Sequence, residues 1–262
     1  MPPTPVFNAR VRIAFLWLFV LLAAGMYFAN DLSKLQEKVS TRDDEAALQG
    51  VSDPGRLDEA LKRHPSNKIL QLMTLATKAA ADTWIAVDRI SSQIEPARLA
   101  KEIDFNTASR DDLDAYRRDL KTAQANAGAF LPRYAALFRA EHDRIENAVR
   151  SFHIQNEIAG NVLNGLARRH SKTLAVISSV LSARADYYDA YEKYIAMLEG
   201  ESGSYRVVDG RFVFPLQRTV ERYNAAALSM TTAARRVADR EAEMKEQNQP
   251  LPEEWRSLTA IR

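Results

Sequence analysis

The chain has no cysteine. That excludes disulfides, thiolate metal sites and a cysteine nucleophile. It also removes the lipidation cysteine of a bacterial lipoprotein, and it suits an oxidising envelope compartment. Net charge is equally scarce. With 36 Lys and Arg against 34 Asp and Glu, bulk electrostatics supply no reason to expect nucleic acid. There are four histidines, and none sits in a His-x-x-x-His or Glu-x-x-His pair, so the zinc-helix and carboxylate-bridged di-iron patterns are missing. His142 and His153 would share a face of one continuous helix but lie ~16 Å apart along it, too far to share a metal ion. No G-x-S-x-G, phosphate-binding loop or G-x-G-x-x-G occurs. The expectation is a non-enzymatic protein with no catalytic, cofactor-binding or metal-binding residues.

What the chain does have is one long uncharged run. Ile13 to Ala29 is almost wholly apolar and follows Arg10 and Arg12. As a helix it would extend roughly 26 Å, the short end of a membrane span, with Tyr27 and Phe28 as interfacial aromatics. Ala23-Ala24-Gly25 is an imperfect signal-cleavage site. The reading adopted is an uncleaved single-pass anchor; a cleaved signal and an interfacial helix are the alternatives. Arg10 and Arg12 before the run are nearly matched by Lys34, Lys38 and Arg42 after it. The basic residues abutting the run, with no acid in the tail, favour a cytoplasmic tail and a periplasmic body at a bacterial inner membrane.

Beyond the anchor the periodicity is helical. Residues 30–65 read as a juxtamembrane linker punctuated by Ser52-Asp53-Pro54-Gly55 and His64-Pro65-Ser66-Asn67. From Ile69 the apolar positions step by four and three through Met73, Ala76, Ala80, Thr83, Val87, Ile90 and Ile94, a bundle seam that Pro96 stops. Ser109-Arg110-Asp111-Asp112 is a variant capping box. It opens a helix expected to continue through Pro132, kinked there, along Leu131, Tyr134, Phe138, Glu141, Ile145, Ala148 and Phe152. A boundary near His153–Asn156 and a short irregular helix at Gly160–Gly165 should follow. A third long helix then carries His170, Leu174, Ile177, Leu181, Arg184, Tyr188, Tyr191, Ile195 and Leu198, and a last one runs from about Pro215 to Gln247. Residues 250–262 form a tail.

The non-helical signal is Tyr205–Phe214, where Asp209-Gly210 supplies the positive φ angles of a type I′ hairpin turn. A hairpin this short must pack on something. It is read as a structural cap over the Tyr188–Tyr194 end of the third helix, with a recognition edge for a partner strand as the functional alternative. Gly203-Ser204-Tyr205, Phe212-Val213-Phe214-Pro215 and Glu221-Arg222-Tyr223-Asn224 resemble the C-terminal part of an uncharacterised enteric-bacterial envelope lipoprotein family. The resemblance implies an envelope location and a helical body, and no activity. The missing lipidation cysteine departs from that family, so a helix would serve as anchor instead.

Three polar residues fall on apolar seams: Glu141, His170 and Arg184. A buried charge needs a partner. The bland reading is a Glu141–Arg184 pair fixing helix register, or residues at the seam's edge that reach solvent. The sharper one is a polar or ligand site of Glu141, His170, Arg184, Tyr188 and Tyr191 inside the bundle. Arg117-Arg118, Arg168-Arg169 and Arg235-Arg236 read as solvated faces, with Arg168, Arg169 and Lys172 as candidate lipid-facing residues.

The fold expected is therefore all-α: a membrane-anchored antiparallel bundle of four long helices over residues 66–249, with short extra helices and a hairpin at 205–214, behind an N-terminal tail (1–12) and an anchor (13–29). The function expected is an envelope scaffold or protein-interaction module, bound to the membrane by its N-terminal helix and to a protein partner or a second copy of itself. An extracytoplasmic small-molecule sensor signalling through another protein is the rival.

Overall fold

The computed structural model describes residues 56–101 and 103–247, with side chains through Met244. The anchor, most of the linker and the C-terminal tail lie outside the described residues. No described helix is long and apolar enough to cross a membrane.

The chain is mostly helical. In order come α1 (Leu57–Arg63), α2 (Lys68–Ser91), a 3₁₀ turn at Ala97–Ala100, α3 (Arg110–Ala129), α4 (Leu131–Ser151), α5 (Asn156–Gly200), β1 (Arg206–Val208), β2 (Arg211–Val213) and α6 (Gln217–Gln247). The α2 seam behaves as its spacing requires: Ile69, Met73, Ala76, Ala80, Thr83, Val87, Ile90 and Ile94 are all buried. Asn67 caps its start, its Oδ1 accepting from the Ile69 and Leu70 amides at 3.0 and 2.9 Å. The capping box of α3 is also present. Ser109 Oγ accepts from the Asp112 amide, and Asp112 Oδ2 accepts from the Ser109 amide.

Two helix boundaries differ from the sequence reading. The helix opened at Ser109 is two helices, broken at Phe130, with Pro132 in the first turn of α4, where its missing N–H costs no hydrogen bond. In contrast, the irregular helix expected near Gly160–Gly165 is simply the start of α5, a single helix of 45 residues. Its glycines cost about 1 kcal/mol each against alanine. Ile158, Val162 and Leu166, spaced by four, are buried on the same helix and hold the segment helical.

The residues expected to form one bundle divide into two compact units. One, here the aliphatic unit, comprises described residues 56–89 with Arg133–Leu174. Its core joins Leu57 and Ala60 of α1 to Leu70, Leu72 and Met73 of α2, Ile145 and Val149 of α4, and Ile158, Val162 and Leu166 of α5. Hence α1, assigned by sequence to the linker, is part of the core. The other, the aromatic unit, comprises Ile90–Pro132 and Ala175–Met244. It contains α3, the C-terminal part of α5, the hairpin and α6.

The hairpin matches its sequence signal. Asp209 and Gly210 have φ of 50° and 72°, as a type I′ turn demands. The register pairs Arg206 with Val213, Val207 with Phe212 and Val208 with Arg211.

Candidate functional site

The three polar seam residues are not brought together. In the aliphatic unit Glu141 of α4 is buried and faces His170 of α5, with Oε1 to Nε2 at 3.5 Å. The Phe138 ring lies against the imidazole at 5.0 Å between centroids, and Trp84 meets Phe138 edge-on. In the aromatic unit Arg184 of α5 donates through Nε and Nη2 to Glu241 Oε1 of α6, at 3.3 and 2.8 Å. The expected Glu141–Arg184 pair is thus replaced by two others. Glu141 is answered by an imidazole in its own unit, and Arg184 by a carboxylate one turn beyond Val237, a buried residue of α6. The five-residue ligand site proposed from sequence likewise divides, with Glu141 and His170 in one unit and Arg184, Tyr188 and Tyr191 in the other.

Around Arg184 the aromatic unit builds a polar chain. Tyr188, one turn on, donates its hydroxyl to Glu95 Oε1 at 2.5 Å. Burial opposes the Arg184 charge, but the facing Tyr188 and Glu241 oxygens outweigh it and hold the guanidinium above its ordinary pKa. A second cluster lies on the same helix. Arg117 of α3 donates to Glu192 through Nε and Nη2, at 2.9 and 2.7 Å, and to Glu199 through Nη1 at 2.5 Å. Glu199, then Glu192, raises the Arg117 pKa. Lys121 adds a contact to Glu192 at 3.4 Å, and Arg110 one to Glu199 at 3.7 Å. Of the Arg117-Arg118 pair only Arg118 lies on a solvated face, pairing with Asp114 within α3; the expectation that both do fails at Arg117. The signal missed was the seven-residue spacing of Glu192 and Glu199, two turns of one helix face.

Aromatic rings fill the rest of this unit. Tyr191 meets Tyr116 at 5.7 Å and Tyr187 at 5.7 Å between centroids. Burial pushes the Tyr116 hydroxyl pKa up, and does the same at Tyr194. The hairpin lies on Phe105 and Tyr223, whose ring centroids are 5.5 and 5.2 Å from that of Phe212. Both also touch Tyr194. The cap over the tyrosine end of α5 is therefore built through Tyr194, by way of Tyr223, part of the Glu221–Asn224 match noted from sequence, and Phe105, which no sequence pattern singles out. Tyr223 follows the hairpin closely in sequence, whereas Phe105 is about a hundred residues away and is brought to it only by the fold.

Of the candidate lipid-facing residues, Arg168 and Lys172 are exposed and Arg169 is half-buried. Among the described residues no group of three or more His, Asp or Glu side chains is placed to hold a metal ion. Comparison with known proteins finds no matching family model, curated protein or solved structure.

Proposed function

We propose that the protein is a membrane-anchored helical scaffold or interaction module of the bacterial envelope, single-pass, with its body in the periplasm and its helices packed as an antiparallel bundle. One observation carries the non-catalytic part of this reading. The charged groups Glu141, Arg184, Glu192 and Glu199 are each answered by a side chain of another helix. Groups consumed in this way fix helix register and pairing. The anchor rests on the uncharged run Ile13–Ala29 behind Arg10 and Arg12.

The test uses the full chain in native membranes, with a photo-crosslinking residue placed in turn at exposed positions. A discrete protein adduct at a subset of positions is the expected result. A small molecule retained through purification and seen by native mass spectrometry would instead favour the sensor. Reporters active on one side of the membrane only, fused after Arg262, test topology; a cytoplasmic signal would overturn it.

A further inference from the structure

The outer face of the hairpin combines two features that proteins seldom leave together in water. Arg206, Val208, Arg211 and Val213 share it, because Arg206 opposes Val213 and Val208 opposes Arg211 across the ladder. The other face, Val207 and Phe212, is half-buried. Val208 and Val213 are 50 % and 52 % exposed, and Leu216 just beyond them is 63 % exposed. Arg206, Arg211 and Arg218 at the start of α6 make no ion pair among the described residues, whereas neighbouring Arg222 is held by Glu201. Asp209 and Glu221 are the acids nearest these arginines in sequence, and Glu221 accepts from Gln217.

From this juxtaposition we propose that the outer face of the hairpin docks on an anionic lipid surface, its arginines at the headgroups and Val208, Val213 and Leu216 in the interface. Unpaired arginines complement anionic lipid, and each basic residue near such a surface favours docking by roughly fivefold. Large apolar side chains beside them supply the insertion that charge alone lacks. The Arg168–Lys172 segment is a poorer lipid face: Arg169 is half-buried and already engaged, and no large apolar side chain there is strongly exposed. The proposal takes from the membrane-anchor reading only the means by which the chain reaches a bilayer.

The absence of native cysteine makes the test direct. Full-length protein with Val208→Cys carries an environment-sensitive fluorophore and is mixed with vesicles of phosphatidylcholine alone or of equal parts phosphatidylcholine and phosphatidylglycerol. A Lys172→Cys label serves as the comparison. Flotation reports association, and quenching by spin-labelled lipid reports depth. The 208 label should become quenched and blue-shifted in anionic vesicles only, while the 172 label stays in water. Arg206→Glu, Arg211→Glu and Arg218→Glu combined should lower the docked-to-free ratio roughly a hundredfold without altering the helical circular dichroism. A chain that floats with both vesicle types while its 208 label stays in water refutes the docking and leaves the anchor standing. Flotation with anionic vesicles alone, with the 208 label quenched, supports the docking and refutes the anchor. Quenching at 172 instead of 208, or quenching that survives charge reversal, overturns the proposal.

Discussion

The two compact units both bury aliphatic and aromatic side chains, but in different proportions: Tyr134 and Phe138 are the buried rings of the first, while the second gathers more rings and more ion pairs. The aliphatic unit closes over Leu57, Leu70, Leu72, Met73, Ile145, Val149, Val162 and Leu166, with one buried carboxylate facing one imidazole. The aromatic unit buries Tyr116, Tyr188, Tyr194 and Phe214 and braces its helices with Arg117–Glu192–Glu199 and Arg184–Glu241. Aliphatic side chains pack without direction, so volume alone decides how well they fit. Tyrosines carry a hydroxyl that must be answered, as Tyr188 is by Glu95. The first kind of core should therefore be sensitive to size, and the second to the loss of a partner.

The largest effect should come from the aliphatic core. Leu166→Ala, at a site with no solvent exposure, should cost about 2–5 kcal/mol. A fragment of residues 66–247 should lose at least as much relative to 56–247, because α1 takes Leu57 and Ala60 with it. Urea denaturation of the three proteins measures this. Equal midpoints for the two fragments would show that α1 is not a structural part of that core.

Next comes the ionic brace. Arg117→Met should cost roughly 1.5–3 kcal/mol, the range for hydrogen bonds to charged groups, towards the lower end because a quarter of the side chain is exposed. Glu192→Leu in the same chain should recover part of the loss, since the orphaned carboxylate goes with it. A double variant no better than Arg117→Met would mean that Glu192 is not the partner that matters.

A double-mutant cycle sharpens the contrast between the units. Arg184→Met with Glu241→Leu should show coupling on the order of 0.5–3 kcal/mol, whereas Arg184→Met with Glu141→Leu should add within about 0.5 kcal/mol. Coupling in the second cycle alone would restore the pair suggested by sequence.

At the hairpin, Gly210→Val should cost about 1–2 kcal/mol. A Cβ there would meet no other atom within 4 Å outside its chain neighbours, and the positive φ strains any β-branched residue. Gly210→Asn, which tolerates that conformation, should lose much less. Comparable losses from the two would point to something other than backbone strain.

The smallest effect is the response of the aromatic unit to acid. The Ser109 side chain, then its amide, lowers the pKa of Asp112; the Asn106 amide, then its side chain and Thr107, does the same for Asp104. A carboxylate whose pKa is depressed on folding adds stability above its unfolded pKa. That contribution fades as pH falls through the folded value. Ser109→Ala should thus lower stability at neutral pH and flatten the acid-side decline. An unchanged acid limb would show that the cap carries none of it.

Local order was legible from the chain because it depends on nearest neighbours. The α2 seam, the Ser109 capping box and the Asp209-Gly210 turn were readable residue by residue, since steps of three and four, an N-cap and a positive φ are properties of short segments. The single helix at Asn156–Gly200 was harder, because glycines weaken a helix locally and only the burial of Ile158, Val162 and Leu166 overrides them. Which seam charge meets which was not legible at all. Glu141, His170 and Arg184 could each be assigned to an inward face, but pairing is set by axial level and by which helix lies opposite. Those are properties of packed helices, decided by side-chain volumes far apart in sequence, and so only the tertiary structure gave Glu141 to His170 and Arg184 to Glu241.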